Sequence, residues 1–390
     1  MIPIEEAEQI LNSITFQPGT EEVPLLESLG RVLAQDIVSK ISMPPFDKSA
    51  MDGYALMIDD DSPSYRVVEI IAAGSVPTLP IRKGECAKIM TGAMLPPGAG
   101  RVVKVEVTEE IDHLMRIKDQ DFHTNICKLG EDVRPGDVVL TARRLIRPQE
   151  IGIIASMGLP RVNVFLRAKV GVITTGSEII EPGIPLEMSQ IYNSNAYSIS
   201  AQVRQTGAEV IYTGQVADDV AQIKAKIEAL LSETQVVLIS GGVSMGDYDF
   251  VPAILRDMGV SMHFSKVAIQ PGKPTVFGTR GDKMIFGMPG NPVSTFTVFE
   301  VFVKPILYKA MGFEYRPPVL RGTMKKDFLR KHTERTAYVP VCFDCEGQVE
   351  PVEYHGSAHF NALSRAHGLL KIPRGVQELP KGSVVDVRQI

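Results

Sequence analysis

The sequence predicts a multidomain α/β protein with four parts: a three-layer α/β/α domain, a β-rich inserted domain, a small helical linking region and a C-terminal β-barrel-like domain. Three observations support this fold class. Short apolar runs alternate with helical patterns over residues 168–314, β-branched runs broken by Gly and Pro fill residues 41–142, and strand-like alternation returns over residues 315–390. With 390 residues, of which 44% are hydrophobic and 22% charged, the chain is long enough for several domains with their own cores.

The α/β domain is predicted from a repeated strand–helix unit. "AKVGVITTG" (168–176) is a short apolar run ending at glycine, and "SNAYSISAQVRQTGA" adds a helix with Ser194 as cap and Gly207 at its end. The unit recurs in "EVIYTGQV" with "DDVAQIKAKIEALLSET", and in "QVVLISGG" with "DYDFVPAILRDMG". A strand pair around "PTVFGTRGDKMIFGMPG" and a helix over about 292–311 follow. This alternation predicts right-handed crossovers and a mostly parallel sheet covered on both faces, in a domain formed by residues 1–22 and 168–314.

The flanking segments predict the other domains. Residues 41–142 contain no convincing long helix and read as a β-rich insertion, while the tail 315–390 alternates like a small barrel or sandwich. Helical spacing is present in residues 3–13, 24–35 and 147–165. We assign a linking domain to residues 23–40 and 143–167.

Composition and charge exclude several classes of protein. The net charge of −5, with Lys and Arg scattered along the chain, does not predict a nucleic-acid or anionic-membrane binder. The amino terminus "MIPIEEAEQIL" is acidic and lacks the features of a signal peptide, so we expect a cytoplasmic protein. The most apolar helical run, "VSTFTVFEVFVKPIL", is interrupted by Glu300, Lys304 and Pro305 and is predicted to be a core helix. Cys342 and Cys345 form a C-x-x-C with no second ligand pair nearby, so chance spacing explains it better than a zinc or redox site.

Carboxylates follow three successive strands of the predicted sheet. They are Glu178, Asp218 or Asp219, and Asp249. Ligands of open α/β sheets bind at the carboxyl ends of the strands, where these residues would meet. Each carboxylate alone is equally well explained as a helix cap. Three together at one edge favour a metal or acid–base site.

A glycine-rich loop and two lysines suggest an anion at the same edge. In "SGGVSMG" (240–246), Gly241 and Gly242 allow backbone N–H groups to converge on a phosphate, although the loop lacks P-loop or dinucleotide-binding spacing. Lys266 and Lys273 surround the next Pro-Gly turn, and Asn291 stands at a helix start in "GMPGNPVS". Carboxylates beside lysines and glycine loops indicate a bound anion together with a divalent cation, for which Mg²⁺ is suited.

The stretch "PPFDKSAMDGYAL" (44–56) is more polar than an ordinary turn requires. It places Asp47, Lys48, Ser49 and Asp52 ahead of Gly53. A structured loop with no further role explains this stretch about as well as a functional site does.

Seven motifs resemble, in order and spacing, those of the molybdopterin molybdenumtransferase family, called MoeA in bacteria and found as the E domain of gephyrin. They span essentially the whole chain: "PPFDKSAMDGYAL", "TGA" (91–93), "GEDV" (130–133), "TGSEI", "SGGVSMGDYD", "PGKP" and "GMPGNPVS".

The resemblance implies an elongated four-domain homodimer whose active site is shared between subunits. The implied reaction joins molybdate to the dithiolene of adenylylated molybdopterin, with Mg²⁺-dependent release of AMP, and a molybdopterin adenylyltransferase is the implied upstream partner. Asp52, Thr91 and Asp132 of one subunit would face the other subunit's site. The resemblance places there Glu178, Asp218, Asp249, Lys266, Pro289 and Pro292. We predict that substrate is bound by Gly241, Gly242, Ser244, Lys273, Pro289, Asn291 and Pro292, and the metal by Glu178 and Asp249.

The chain departs from the family pattern at three places that bear on anion binding. Lys48 stands where family members generally carry Asn, Gln270 where a Lys is frequent, and Cys127-Lys128-Leu129 where Arg residues are common. Lys48 would restore part of the positive charge lost elsewhere. Two other functions stay open: a molybdopterin adenylyltransferase and a non-catalytic scaffold. Nothing in the sequence separates molybdate from tungstate.

Overall fold

The computed structural model describes residues 1–243, 250–353, 356 and 359–390. The predicted site residues Ser244 and Asp249 lie outside the described residues. The chain forms two compact units. Residues 1–34, 143–147 and 161–390 form the large unit, and residues 35–142 and 148–160 form the β-rich unit. The multidomain α/β class is confirmed, whereas the finer four-domain division stays a prediction.

The chain begins with one helix and one strand of the large unit. Helix α1 (Ile4–Ser13) buries Ile4, Ala7 and Leu11 on one face, as its apolar spacing predicts. Strand β1 (Thr20–Pro24) follows, and then a single 3-10 turn, Leu25–Ser28.

The β-rich unit is built on a six-stranded sheet with the order β7-β4-β6-β5-β9-β8. Apolar side chains cover both of its faces, with Ala55 and Ile89 in one cluster and Tyr54 and Met115 in another. Gly53 is required because a Cβ there would lie 2.1 Å from the carbonyl oxygen of Val103 on the neighbouring strand. The elements of this unit are β2 (Ile37–Val38), β3 (Lys48–Ser49), β4 (Gly53–Leu56), β5 (Tyr65–Ile71), β6 (Glu85–Ile89), β7 (Arg101–Lys104), β8 (Thr108–Ile111), β9 (Leu114–Ile117), β10 (Ile126–Cys127), β11 (Val138–Leu140) and α2 (Pro148–Ser156).

The large unit contains the predicted three-layer α/β/α domain. Its sheet has the order β16-β13-β17-β21-β20-β18, in which the first four strands pair parallel and β20 pairs antiparallel with both β21 and β18. One core packs α3 and α6 against the sheet, and a second packs α4 and α5 against the other face. The elements are β12 (Arg161–Phe165), β13 (Lys169–Thr175), β14 (Ile179–Ile180), β15 (Ile191–Tyr192), α3 (Ser194–Gln205), β16 (Glu209–Val216), α4 (Val220–Glu233), β17 (Val236–Ser240), α5 (Val251–Asp257), β18 (Ser261–Phe264), β19 (Ile269–Gln270), β20 (Val276–Arg280), β21 (Lys283–Met288), α6 (Pro292–Val298) and α7 (Lys304–Ala310).

The helix predicted over 292–311 is present, and its middle turn, Phe299–Val303, is π-helical. Its charges do not interrupt the core because Lys304 Nζ lies 2.9 Å from a carboxylate oxygen of Glu300, and both side chains are buried. Among the residues that the structure describes, no helix is long and apolar enough to cross a membrane.

The C-terminal strands of the large unit close into a barrel. Neighbours pair in the order β24-β25-β22-β28-β26, and β26 pairs back with β24. The predicted barrel-like domain is therefore confirmed, with a core that includes Val341, Val349 and Val387. Its strands are β22 (Val319–Met324), β23 (Phe328–Leu329), β24 (Thr336–Phe343), β25 (Gln348–Pro351), β26 (Gly368–Ile372), β27 (Glu378–Leu379) and β28 (Val384–Gln389).

Two helix predictions are wrong: the one over 24–35 in full and the one over 147–165 in part. Residues 24–35 form only the 3-10 turn, because Gly30 has a positive φ of 73° and the following amides donate to distant carbonyls, Leu33 to Arg144 and Ala34 to Asn163. The helix predicted over 147–165 ends at Ser156, and residues 161–165 form β12, which pairs antiparallel with β1. Long-range pairing replaces the local helix in both segments.

Candidate functional site

A cavity of about 710 Å³ lies in the large unit, where β13 and β17 end and α3 and α6 begin. This is the edge of the parallel sheet at which ligands of α/β proteins bind. Its described lining consists of Thr175, Gly176, Glu178, Ile179, Ile191, Tyr192, Asn193, Ser194, Asn195, Asp218, Ser240, Gly241, Gly242, Val243, Pro274, Pro289, Gly290, Asn291 and Pro292.

Two of the predicted carboxylates, Glu178 and Asp218, line this cavity. Asp218 is oriented by Ser177, whose backbone amide lies 3.1 Å and whose hydroxyl lies 3.3 Å from the same carboxylate oxygen. Asp219 is instead a helix cap, because its side chain accepts a hydrogen bond from Gln222 N at the start of α4. Of the two aspartates, Asp218 therefore lines the cavity and Asp219 caps the helix.

The glycine pair Gly241–Gly242 follows β17 and also lines the cavity. Gly241 has a φ of +99°, and a Cβ at this position would lie 2.4 Å from the carbonyl oxygen of Thr175. Only glycine allows β13 and this loop to approach so closely. The first turns of α3 and α6, which begin at Ser194 and Pro292, bring further backbone N–H groups to the same cavity. This arrangement is suited to an anion.

Asn195 connects the three segments that meet at the cavity. Its side-chain nitrogen Nδ2 donates to Ser240 Oγ at 2.9 Å and to the carbonyl oxygen of Gly290 at 2.7 Å. Ser240 Oγ in turn donates to the carbonyl oxygen of Pro289 at 3.1 Å. The starts of α3 and α6 are therefore fixed relative to the glycine pair.

A two-stranded ribbon, β14 with β15, forms another part of the wall and is anchored by Asn193. Asn193 Oδ1 accepts from Ala196 N and caps α3, so Asn193 takes the role predicted for Ser194. Its Nδ2 donates to Thr174 Oγ1 and to Glu181 Oε1, each at 2.8 Å. Burial raises the pKa of the Glu181 carboxyl, but hydrogen bonds from Tyr212, Asn193 and Tyr197 outweigh it and lower the pKa overall.

The predicted lysines do not belong to the described lining of the cavity. Lys266 is half-buried and its carbonyl oxygen accepts from Ile2 N, while Lys273 is exposed and its carbonyl oxygen accepts from Val267 N. Of the turn residues predicted to bind substrate, Pro289, Asn291 and Pro292 do line it.

In the β-rich unit the structure brings Asp52 and Thr91 together. The backbone amide of Thr91 donates to Asp52 Oδ1 at 2.6 Å, and its hydroxyl donates to the same oxygen at 2.7 Å. These two hydrogen bonds lower the pKa of the Asp52 carboxyl, which is exposed and therefore ionised at neutral pH. Asp132 lines a different cavity of this unit, of about 540 Å³, together with Met43 and Met157.

Other polar residues of the loop 44–56 hold it in place. Asp47 accepts from Leu129 N at 2.7 Å and from Lys128 Nζ at 3.0 Å, and these contacts lower the pKa of its carboxyl. Ser49 Oγ donates to the carbonyl oxygen of Met51. Three of the residues that depart from the family pattern can now be located. Lys128 stabilises the loop through Asp47, and Lys48 pairs with Cys127 between β3 and β10. The buried Oε1 atom of Gln270 has no hydrogen-bond partner among the described residues.

Sequence reasoning missed Asn193, Asn195 and Ser240 as residues that shape the cavity. The signal available was "NSN" (193–195) at the start of a predicted helix, since Asn and Ser favour helix N-termini. Tyr192, also part of the lining, was not singled out either.

Three family models match consecutive parts of the chain. The MoeA N-terminal region (domain I and II) matches residues 2–158, the probable molybdopterin binding domain residues 171–309, and the MoeA C-terminal region (domain IV) residues 322–390. The chain is 33% identical to a molybdopterin molybdenumtransferase of Bacillus subtilis, over 99% of this chain and 93% of the relative. The chain belongs to the molybdopterin molybdenumtransferase family.

Further members of this family match over their full length. Molybdopterin molybdenumtransferase 2 of Mycobacterium tuberculosis is 37% identical over 99% of both chains. The crystal structure of the molybdopterin biosynthesis MoeA protein of Pyrococcus horikoshii OT3 superposes with a TM-score of 0.86 at 30% identity and covers 100% of both chains. The resemblance carried by the seven motifs is confirmed.

Proposed function

We propose that this chain is a transferase of molybdenum cofactor biosynthesis that joins molybdate to the dithiolene of adenylylated molybdopterin and releases AMP. The observation that carries the proposal is the cavity in which Glu178 and Asp218 share a lining with the glycine pair Gly241–Gly242 and two helix starts. One cavity thus offers groups for a phosphoanhydride and groups for a cation. The full-length similarity to molybdopterin molybdenumtransferases supports the same reaction.

The donor set of the cavity fits Mg²⁺. Among the described residues, no cluster of three or more His, Cys, Asp or Glu side chains is placed to hold a metal ion. Mg²⁺ is typically bound through one or two carboxylates together with waters and substrate phosphates, and Glu178 and Asp218 meet that requirement. We infer that they hold it, with Asp249 as a further predicted ligand. When bound, Mg²⁺ would neutralise phosphate charge and polarise the bond that is cleaved.

The chain's own groups would bind and orient the substrate. The N–H groups of Gly242 and of the starts of α3 and α6 would bind the phosphate oxygens, because these segments meet at one cavity. The N–H of Gly241 instead donates to the carbonyl oxygen of Met288. A carboxylate of this cavity would also position the water that attacks the phosphoanhydride as a general base. Lys266 and Lys273, outside the described lining, are proposed to bind the oxyanion as it is delivered.

We further propose that the protein acts as a homodimer, with the β-rich unit of one subunit completing the site of the other. Asp52, Thr91 and Asp132 belong to the β-rich unit, whereas Glu178 and Asp218 belong to the large unit. A shared site gives the polar loop 44–56 a role beyond its own stability. A molybdopterin adenylyltransferase is the proposed supplier of the adenylylated substrate.

The reaction is tested by measuring AMP release from adenylylated molybdopterin by the purified protein with Mg²⁺ and increasing molybdate, or tungstate in a parallel series. Saturable, oxyanion-dependent release is expected. Binding of the adduct without release would favour the scaffold, and formation of the adduct from ATP and molybdopterin would favour the adenylyltransferase.

The shared site is tested by mixing two inactive variants, Asp52→Ala and Asp218→Ala, after joint unfolding and refolding. Random pairing makes half of the dimers mixed, and each mixed dimer contains one intact site of two. Activity should therefore return to about a quarter of the wild-type value. A mixture as inactive as its components would contradict the shared site while leaving the reaction itself untouched.

A further inference from the structure

The β14–β15 ribbon presents an aromatic ring at the cavity. Tyr192 is 46% exposed and is the single aromatic side chain among the described lining residues. Ile179 and Ile191 of the same ribbon also line the cavity, so this part of its wall is apolar. The remaining described lining is rich in carboxylate, amide, hydroxyl and glycine groups.

Contacts among the described residues do not account for the exposed ring of Tyr192. Two nearby tyrosines, Tyr197 and Tyr212, both donate hydrogen bonds to Glu181, and their rings pack at 6.2 Å. Over the part of the chain that the structure describes, Tyr192 has neither a hydrogen bond from its hydroxyl nor a ring partner. A large aromatic surface is thus left available at a cavity.

The backbone that carries Tyr192 is nevertheless held firmly. Tyr192 pairs with Ile180, and the flanking amides of Ile191 and Asn193 each donate at 2.9 Å, to the carbonyl oxygens of Glu178 and Ile180. Asn193 is in turn buried and bonded to β13 through Thr174. An aromatic side chain with few rotatable bonds on a fixed backbone loses little entropy when it binds a ligand.

We propose that Tyr192 is a stacking surface for a planar nitrogen heterocycle attached to the phosphate that the cavity binds. The inference rests on the proposed function and adds a specificity-determining residue to it. The substrate proposed above carries two such rings, the pterin at one end of its pyrophosphate and adenine at the other. Either ring has a π-face that stacks on a tyrosine, whereas the phosphates between them have none.

The chain contains no tryptophan, so Tyr192→Trp creates a single fluorescent reporter at the site. Probes are AMP for adenine, metal-free molybdopterin for the pterin, and inorganic pyrophosphate as the ligand without a ring. We expect one ring-bearing probe to quench the tryptophan emission on stacking, and pyrophosphate to leave it unchanged.

The affinities of Tyr192→Ala and Tyr192→Phe for the same probes complete the test. The alanine variant should bind one ring-bearing probe about 10-fold more weakly, because stacking on an aromatic side chain supplies about that much affinity. The phenylalanine variant keeps the ring and should stay within about twofold of wild type. Met188→Ala is the matched control, since Met188 is 97% exposed in the same segment and is not part of the described lining.

The probe that responds identifies the ring. Weaker binding of AMP alone assigns adenine to Tyr192, and weaker binding of molybdopterin alone assigns the pterin. Unchanged binding of both probes by Tyr192→Ala, with wild-type AMP release, would overturn the stacking role and leave the proposed function standing. A wild-type protein that binds neither probe and releases no AMP would overturn both.

Discussion

Replacing Gly241 by alanine should destabilise the large unit much more than the same change at Gly290, although both glycines line one cavity. Gly241 has a φ of +99°, and its added methyl group would lie 2.4 Å from the carbonyl oxygen and 2.9 Å from Oγ1 of Thr175. The obstructing carbonyl belongs to β13, whose hydrogen bonds to both neighbouring strands prevent it from moving away. At Gly290 the nearest atom is 4.0 Å away and φ lies outside the left-handed region.

The magnitude follows from two costs. Forcing an alanine into this backbone conformation costs about 1–3 kcal/mol. Crowding against a packed strand costs about 1–3 kcal/mol more. Gly241→Ala should thus lower the free energy of unfolding by about 2–6 kcal/mol, whereas Gly290→Ala meets neither cost and should change it by less than about 1 kcal/mol.

The assay is urea unfolding of the wild type and both variants, followed by circular dichroism. The unfolding midpoints are compared at a common m value, which is the slope of the unfolding free energy against urea concentration. Because unfolding stability falls linearly with denaturant, a loss of this size appears as a clear shift of the midpoint for Gly241→Ala alone. Equal midpoints for the two variants would refute the reasoning, since they would show that β13 and the glycine loop are free to separate.

Four further predictions concern charged groups. Asp219→Ala should cost about 1 kcal/mol of stability through loss of the α4 cap and leave AMP release intact. Asp218→Asn should instead reduce AMP release about 100-fold or more with little change in stability, which kinetics and unfolding measured on the same samples will separate. Lys304→Met should destabilise the protein by about 3–5 kcal/mol because the buried Glu300 loses its partner, and adding Glu300→Gln should recover much of the loss in thermal unfolding. The pKa of Glu181 is lowered from its ordinary value of 4.5, so the contribution of its charge to stability is complete above that pH and disappears as the pH falls through the lower folded-state pKa. Glu181→Gln should therefore make the unfolding midpoint less dependent on pH on the acid side of that ordinary value.

The three-layer domain was predictable because its strands are buried on both faces. "VVLIS" and "KVGVITT" are almost continuously buried in the structure, and such runs between helical patterns have few other solutions. The failures at residues 24–35 and 157–165 have the opposite cause. At 157–165 the apolar spacing is satisfied by pairing of β12 with β1, and at 24–35 by isolated bridges of Val32 to Leu145 and of Leu33 to Val164. These partners are far apart in sequence, and a local pattern carries no information about a distant partner.

The same distinction explains how much of the site the sequence predicted. Glu178, Asp218 and the glycine pair follow strands of one parallel sheet, so topology alone gathers them at one edge. The contact between Asp52 and Thr91 joins residues 39 positions apart and could not follow from spacing. Lys266 and Lys273 lie outside the described lining, so their proposed role at the oxyanion still rests on charge, which does not determine where a long, flexible side chain lies.

The polar residues of the loop 44–56 therefore have two different roles, one in the fold and one in the proposed site. The activity of a single variant does not separate these roles. Asp47 is used by the fold itself, because it fixes the turn at Lys128 and Leu129. Asp52 is also hydrogen-bonded, yet it stays exposed and ionised, as a residue acting on a bound substrate would require. Asp47→Ala is the appropriate control for Asp52→Ala, since both changes loosen the same loop. If AMP release falls equally in the two variants, the loop matters through its shape, and the proposed role of Asp52 in a shared site loses its support.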